Sequence, residues 1–171
     1  MRGEKSVCAA VEKKTYVTMV KKTSDLDALT IRSWARLIRT SQSLLIRVEQ
    51  DLKSHLLPAL VWYDVLLELD RAGKPGLRPF QLQKEMLLTQ YNLSRLIERM
   101  EKAELVKRTA AFDDGRGHII HITPSGRGKM KQMWRVYQGA IQRHFARHLD
   151  QKDVKDLMRI SGKLDCSDAG A

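Results

Sequence analysis

The side chains best suited to do chemistry lie between Thr89 and His118. Tyr91, Asn92 and Arg95 fall close together, with Thr89, Gln90, Ser94, Glu98 and Arg99 around them. An arginine offers a planar fork of donors that matches the two acceptors on the edge of a guanine, or two oxygens of a phosphate. Asn92 and Tyr91 can read a base edge or stack on a sugar. Thr89, Gln90 and Ser94 are short polar groups of the kind that bond phosphate and fix register. Further along, Arg116 and His118 sit in the run Asp113-Asp114-Gly115-Arg116-Gly117-His118. A guanidinium on such a tip is suited to a minor groove or a backbone phosphate. Asp114 or Glu98 can hold Arg116 in place.

Catalytic chemistry finds no footing. The chain has no glycine-rich phosphate cradle, no nucleophile elbow and no carboxylate pair with an evident purpose. Ser125, in Thr-Pro-Ser-Gly, reads as a helix-start residue. No catalytic residue and no cofactor are expected. His144 and His148 stand at i and i+4, a spacing that can hold zinc on a helix. Two ligands are too few, and no cysteine or glutamate lies near them in sequence. No metal site is expected, and a zinc-responsive regulator stays an alternative.

The elements that must position the first group are legible. Thr89 is a fitting N-cap, because its hydroxyl can accept a first-turn N–H. Leu93, Leu96, Ile97 and Met100 then share one helical face, and Tyr91, Arg95 and Lys102 project from the other. Leu105 to Thr109 reads as a short strand. Asp113-Asp114-Gly115 supplies turn chemistry, and His118 to Thr123 is the return strand of a hairpin. A helix offering its polar face, followed by a hairpin with arginine at its tip, is the plan of a winged helix-turn-helix. In it the helix enters the major groove and the tip reaches beside it.

The remaining periodicity is helical. Residues Leu26 to about His55 carry an apolar stripe through Trp34, Leu37, Ile38, Leu44, Leu45, Val48 and Leu52, with Ser24, Asp25 or Asp27 as cap. Pro58 is placed in the first turn of the next helix, which Ala72-Gly73-Lys74-Pro75-Gly76 ends. Pro79 starts a short helix whose neighbours Arg78, Gln81 and Lys84 are phosphate candidates. Pro124 opens a long helix, and its first basic residues could reach phosphate. Asp150 caps a last helix. The fold class is mainly α with a small β-hairpin wing, a winged helix-turn-helix plus terminal dimerisation helices.

Composition bounds the partners. The chain has 171 residues, 43% hydrophobic and 30% charged, which suits one domain with a real core. Thirty-one Lys and Arg against 20 Asp and Glu leave a net charge of +11. That surplus suits a polyanion, nucleic acid before an acidic membrane surface. Residues 89–131 hold nine Lys and Arg against five Asp and Glu, which argues against a winged module that serves only protein contacts. No apolar run approaches the ~20 residues that span a bilayer. Cys8 and Cys166 stand alone near opposite ends, so a reducing cytoplasm is the simpler setting.

The stretch L-T-Q-Y-N-L-S-R-L-I-E-R-M-E-K-A-E-L-V-K-R, followed by D-D-G-R-G-H-I-I-H-I-T-P-S-G, resembles the core of the MarR family of transcriptional regulators. Shared marks are a helix ending in a Leu-Val step, an Asp-x-Arg wing and a closing Thr-x-x-Gly. There are two departures. Glu104 stands where the family usually has glycine before Leu-Val. Gly115 stands where the first of two wing arginines is common, which leaves Arg116 alone. The resemblance implies a homodimer with interleaved terminal helices, double-stranded DNA as partner, and a small, often aromatic, effector. Trp34, Trp62 and Tyr63, with Arg47 or His55 as anion partner, are the expected pocket, and Trp134 and Tyr137 are further aromatics for it. A cysteine near the first helix senses oxidants in some members, but Cys8 lies too far ahead of it.

The organisation expected is an N-terminal arm over 1–25, a dimerisation helix over 26–57 and a winged DNA-binding lobe over 58–123. A long helix and a C-terminal dimerisation helix follow over 124–165, with a tail over 166–171.

Overall fold

The computed structural model describes residues 26–86, 90–111 and 117–165. The arm to Asp25, both cysteines, Thr89, Asp114 and Arg116 lie outside the described residues, as do the side chains of Gln90 and Tyr91. The elements in order are α1 (Ala28–Ser54), α2 (Leu60–Ala72), α3 (Pro79–Met86), α4 (Gln90–Lys102), β1 (Val106–Ala110), β2 (His118–Ile122), α5 (Pro124–His144), a 3-10 turn (Ala146–His148) and α6 (Gln151–Asp165). Among the described residues no helix is long and apolar enough to cross a membrane.

Two compact units meet between Gln42 and Ser43. In the first, Asp27 caps α1. Its Oδ1 accepts from the amides of Leu29 at 2.8 Å and Thr30 at 2.9 Å, and its Oδ2 accepts from the Thr30 hydroxyl. Each bond satisfies or supports a first-turn donor that the helix leaves over. Along this part of α1 the apolar side chains of Leu29, Trp34, Leu37 and Ile38 are exposed.

The second unit holds two apolar clusters that share α2. Val65, Leu66 and Leu69 of α2 face Leu82 of α3, Leu93, Leu96, Ile97 and Met100 of α4, and Val106, Ile120 and Ile122 of the hairpin. Leu60 and Tyr63, a turn or so earlier, face Val48 and Leu52 of α1 and Met133 and Ala140 of α5. Trp62 and Met130 pack on both clusters. At ~1.5–3 kcal/mol for each large aliphatic side chain fully buried, the four core residues of α4 are a strong anchor for that helix.

Two expectations are corrected, for Pro58 and for the histidine pair. Pro58 precedes α2, which starts at Leu60; the free Leu60 amide donates to Glu49 Oε1 of α1 at 2.9 Å. The first helix ends at Ser54, in agreement with the expected end near His55, and Leu56 turns left-handed at φ 55° as the Leu57 amide reaches back to the Leu52 carbonyl. Helix α5 ends at His144, and His148 belongs to the 3-10 turn beyond it. The two histidines therefore do not share one helical face.

Candidate nucleic-acid interface

Helix α4 is divided as its spacing predicts. Leu93, Leu96, Ile97 and Met100 are buried, while Asn92, Ser94, Arg95, Glu98 and Arg99 are exposed and border one shallow concavity. Gln90 and Tyr91 occupy its first turn. Its C-terminus is a Schellman turn: the Leu105 amide donates to the Met100 carbonyl at 3.0 Å and the Glu104 amide to Glu101 at 2.9 Å. Glu104 takes the left-handed position at φ 59°, where the family usually has glycine.

The hairpin follows at once. β1 and β2 pair antiparallel with Val106 opposite Ile122, Arg108 opposite Ile120 and Ala110 opposite His118. Leu77, in the link between α2 and α3, exchanges both backbone bonds with Ile120, at 3.0 and 2.8 Å, so a third short edge joins the hairpin to the helices. Gly76 at φ 68° makes that approach possible; a Cβ there would meet the Ile120 carbonyl oxygen at 2.5 Å. His121 lies over Gly76 and shares a 2.9 Å hydrogen bond with the Thr109 hydroxyl.

Between helix and hairpin runs a groove of about 320 Å³, bordered by Phe80, Ser94, Glu98, Arg108 and His118. Arg108 was not singled out by its position in the sequence. It stands 3.6 Å from Glu101 of α4. The signal for it was the alternation of β1, which puts residue 108 on the side of buried Val106.

The other expected contacts divide. Gln81 Oε1 accepts the Arg78 amide at 2.8 Å, so Gln81 serves the start of α3. Arg127 at the head of α5 donates through Nε to Asp70 Oδ1 of α2 at 2.7 Å. His144 Nε2 and Arg143 both meet Asp51 Oδ2 at 2.8 Å, and His148 Nε2 accepts from Arg147. Burial pushes the Asp51 carboxyl up, and the hydrogen bonds from Arg143 and His144 more than offset it, leaving it below the ordinary aspartate value. Among the described residues no three metal-binding side chains gather.

Of the residues expected to line an effector pocket, Arg47, His55, Trp62 and Tyr63 lie in the second unit. Tyr63, 7% exposed, stacks on Trp134 with ring centres 6.0 Å apart, and Tyr137 meets both rings edge-on at 5.4 and 5.9 Å. Lys131 and Arg135 flank the Tyr63–Trp134 hollow, about 380 Å³ in volume. Trp62 is half-buried between the two cores. Arg47 and His55 are exposed, and His55 Nδ1 lies 2.8 Å from the Asp51 carbonyl of its own helix and 3.1 Å from the Ser54 hydroxyl. Trp34, in the first unit, is 65% exposed. Asp64, beside the aromatic trio on α2, is pushed up by burial and by Glu68 and Glu49.

Residues 56–117 match the sequence model of the MarR family. No curated protein matches by sequence. Among solved structures, AbsC of Streptomyces coelicolor, a MarR family transcriptional regulator, is 26% identical over 84% of this chain and 99% of its own, with a TM-score of 0.70. Sco3205, a MarR family transcriptional regulator of the same organism solved in complex with DNA, is 23% identical over 82% of this chain and 92% of its own, with a TM-score of 0.76. BpsR of Bordetella bronchiseptica, whose structure concerns regulation of its DNA binding by 6-hydroxynicotinic acid, is 20% identical over 78% of this chain and 98% of its own, with a TM-score of 0.68. The helix-turn-helix and the first strand lie within the segment that matches the MarR family, and the chain shares the architecture of that family's winged helix-turn-helix regulators.

Proposed function

We propose that the chain is a homodimeric, sequence-specific DNA-binding transcriptional regulator, a repressor that a small aromatic ligand releases from its operator. One observation carries the reading. Helix α4 is anchored by four buried side chains and turns Asn92, Ser94, Arg95, Glu98 and Arg99 outward beside a hairpin. In this reading Arg95 contacts a guanine, Asn92 and Tyr91 read base edges, and Thr89, Gln90 and Ser94 bond phosphate. Arg116 and His118 belong to the wing contact, supported by Asp114 and Glu98. The lobe over 58–123 reads DNA.

The segments over 26–57 and 124–165 join two copies. What supports this is unburied apolar surface. On α6, Val154, Leu157, Met158, Ile160 and Leu164 are all exposed, as are Leu29, Trp34 and Leu37 on α1. At ~25 cal/mol per Å² of apolar area, covering these faces favours association. A two-fold dimer sets its recognition helices ~34–36 Å apart and calls for a pseudo-palindromic site.

The trio of Tyr63, Trp134 and Tyr137, with Lys131 and Arg135 beside it, is the proposed effector site. A ligand there acts by favouring a spacing of the two lobes that DNA does not match. BpsR, which has the same fold, has its DNA binding regulated by 6-hydroxynicotinic acid. His144 is held by Asp51, and among the described residues no metal-binding cluster favours a zinc-responsive regulator.

Selection of bound fragments from random DNA, repeated with a panel of aromatic acids, tests the reading. An inverted repeat with half-sites one turn apart is expected, and at least one acid should release it. Recovery of no shared sequence would overturn specific reading, and a complex indifferent to every acid would overturn aromatic release.

A further inference from the structure

The hollow against Tyr63 and Trp134 shares a wall with the core that holds α4. Met130, on α5, lines the hollow. The same side chain packs on both apolar clusters, the one around Tyr63 and Met133 and the one that buries Leu93, Leu96, Ile97 and Met100 of α4. Among the described residues Trp62 is the other side chain that packs on both clusters, and it does not line the hollow. Helix α5 has little freedom to absorb a push at Met130. It runs unbroken from Pro124 to His144. Gly126 lies one turn, ~6 Å of axis, before Met130. It packs so closely on the Leu105 carbonyl that a Cβ there would lie 2.1 Å from its oxygen. Arg127 is tied to Asp70 of α2 at 2.7 Å. The head of α5 is thus fixed both to the turn that ends α4 and to α2. A side chain displaced at Met130 is then passed on to its neighbours. A close-packed interior holds no void to take it up, and it shifts between discrete arrangements.

We infer that Met130 carries occupancy of the hollow to α4: a ligand against Trp134 displaces Met130, and Met130 loosens the seat of α4. The inference rests on the effector and DNA-binding readings above. It adds to them a route through the packed interior of one chain, beside the change in spacing between lobes. By linkage, bound DNA weakens the ligand by the same factor as the ligand weakens DNA.

The test uses the full chain, an operator duplex recovered by selection, and benzoate, 4-hydroxybenzoate and 2-aminobenzoate as probes. Met130→Ala removes the relay, and Met130→Leu keeps its apolar volume. Met133→Ala opens space in the other cluster alone and reports general loosening. DNA affinity is measured without acid and at saturating acid, with saturation fixed for each variant by calorimetry, so a changed acid affinity does not enter the ratio. Acid should weaken DNA binding about tenfold or more in wild type, Met130→Leu and Met133→Ala, and less than about twofold in Met130→Ala. In wild type, acid should also speed amide exchange at Leu96, Ile97 and Met100 by about threefold or more. A Met130→Ala variant that keeps the wild-type ratio overturns the inference. So does one that no longer takes up the acid, which makes Met130 a ligand contact only, and so does a Met133→Ala ratio that collapses equally. Exchange in α4 that is indifferent to acid overturns it as well, and that readout needs no variant to fold. Wild type released by none of the acids removes the effector reading, and wild type that binds no duplex removes the DNA-binding reading; both failures are visible before any variant is measured.

Discussion

The Thr123 hydroxyl donates to the Glu104 carbonyl at 2.7 Å, tying the turn that ends α4 to the start of α5. The same oxygen accepts the Gly126 amide at 2.9 Å as the N-cap of α5. The Thr123 amide donates to the Leu105 carbonyl at 3.0 Å. One residue thus caps one helix and holds the last turn of another. Thr123→Val keeps the shape and loses every bond the hydroxyl makes, a second one to the Leu105 carbonyl at 3.0 Å included. It should cost about 1–2 kcal/mol of stability in denaturant unfolding. A cost near zero would mean the hydroxyl is dispensable to that junction.

Gly126 stands where no side chain fits. A Cβ there would lie 2.1 Å from the Leu105 carbonyl oxygen and 2.9 Å from Ile122. Backbone must shift to admit it, so Gly126→Ala should cost about 2 kcal/mol or more. Gly128, two residues on, meets nothing within 4 Å and is the matched control: Gly128→Ala should stabilise the helix by about 0.5–1 kcal/mol.

Glu104 holds a left-handed backbone that suits glycine, at φ 59°. Glu104→Gly should therefore stabilise the fold by about 0.5–1 kcal/mol, the strain relieved minus the extra freedom of the unfolded glycine. A loss of stability on unfolding would show that the Glu104 side chain contributes more than its backbone strain costs.

Two aspartates should give opposite pH signatures. Asp64 is pushed up by burial and by Glu68 and Glu49, so its charged form opposes folding at neutral pH. Asp64→Asn should raise the melting temperature at pH 7, and the gain should shrink as pH falls through the raised value and wild type protonates. Asp51 is held below its ordinary value, burial being offset by Arg143 and His144. Its contribution is present above the unfolded aspartate value and is lost as pH falls through the lower folded one. Asp51→Asn should lower the melting temperature at pH 7, with the deficit closing in acid. Parallel pH profiles of the two variants would refute this division.

Arg95→Ala should flatten the discrimination between operator and random duplex, because a bidentate base contact is worth about 1–3 kcal/mol against the wrong base. Arg116→Ala should weaken binding to every sequence and reduce the salt slope by about one unit. Competition binding at several salt concentrations separates the two. A retained ratio removes Arg95 from base reading, and an unchanged slope removes Arg116 from phosphate contact.

What the sequence determined by itself is the set of features fixed within a few residues of each other. Leu93, Leu96, Ile97 and Met100 repeat at helical spacing, so their burial and the outward turn of Arg95 were readable before any contact was known. The cap at Asp150, whose Oδ1 accepts the Asp153 amide at 2.8 Å, and the start of α5 at Pro124 are equally local. The tertiary structure decided what depends on residues far apart in the chain. Leu77 became a third edge because Ile120 lies beside it. Arg127 and His144 were taken up by Asp70 and Asp51, carboxylates 57 and 93 residues away. Tyr63 found Trp134 and Tyr137 because α2 packs on α5 and buries that ring between them. Spacing along the chain fixes the direction a side chain leaves its own helix; which partner it meets is fixed only when the helices pack.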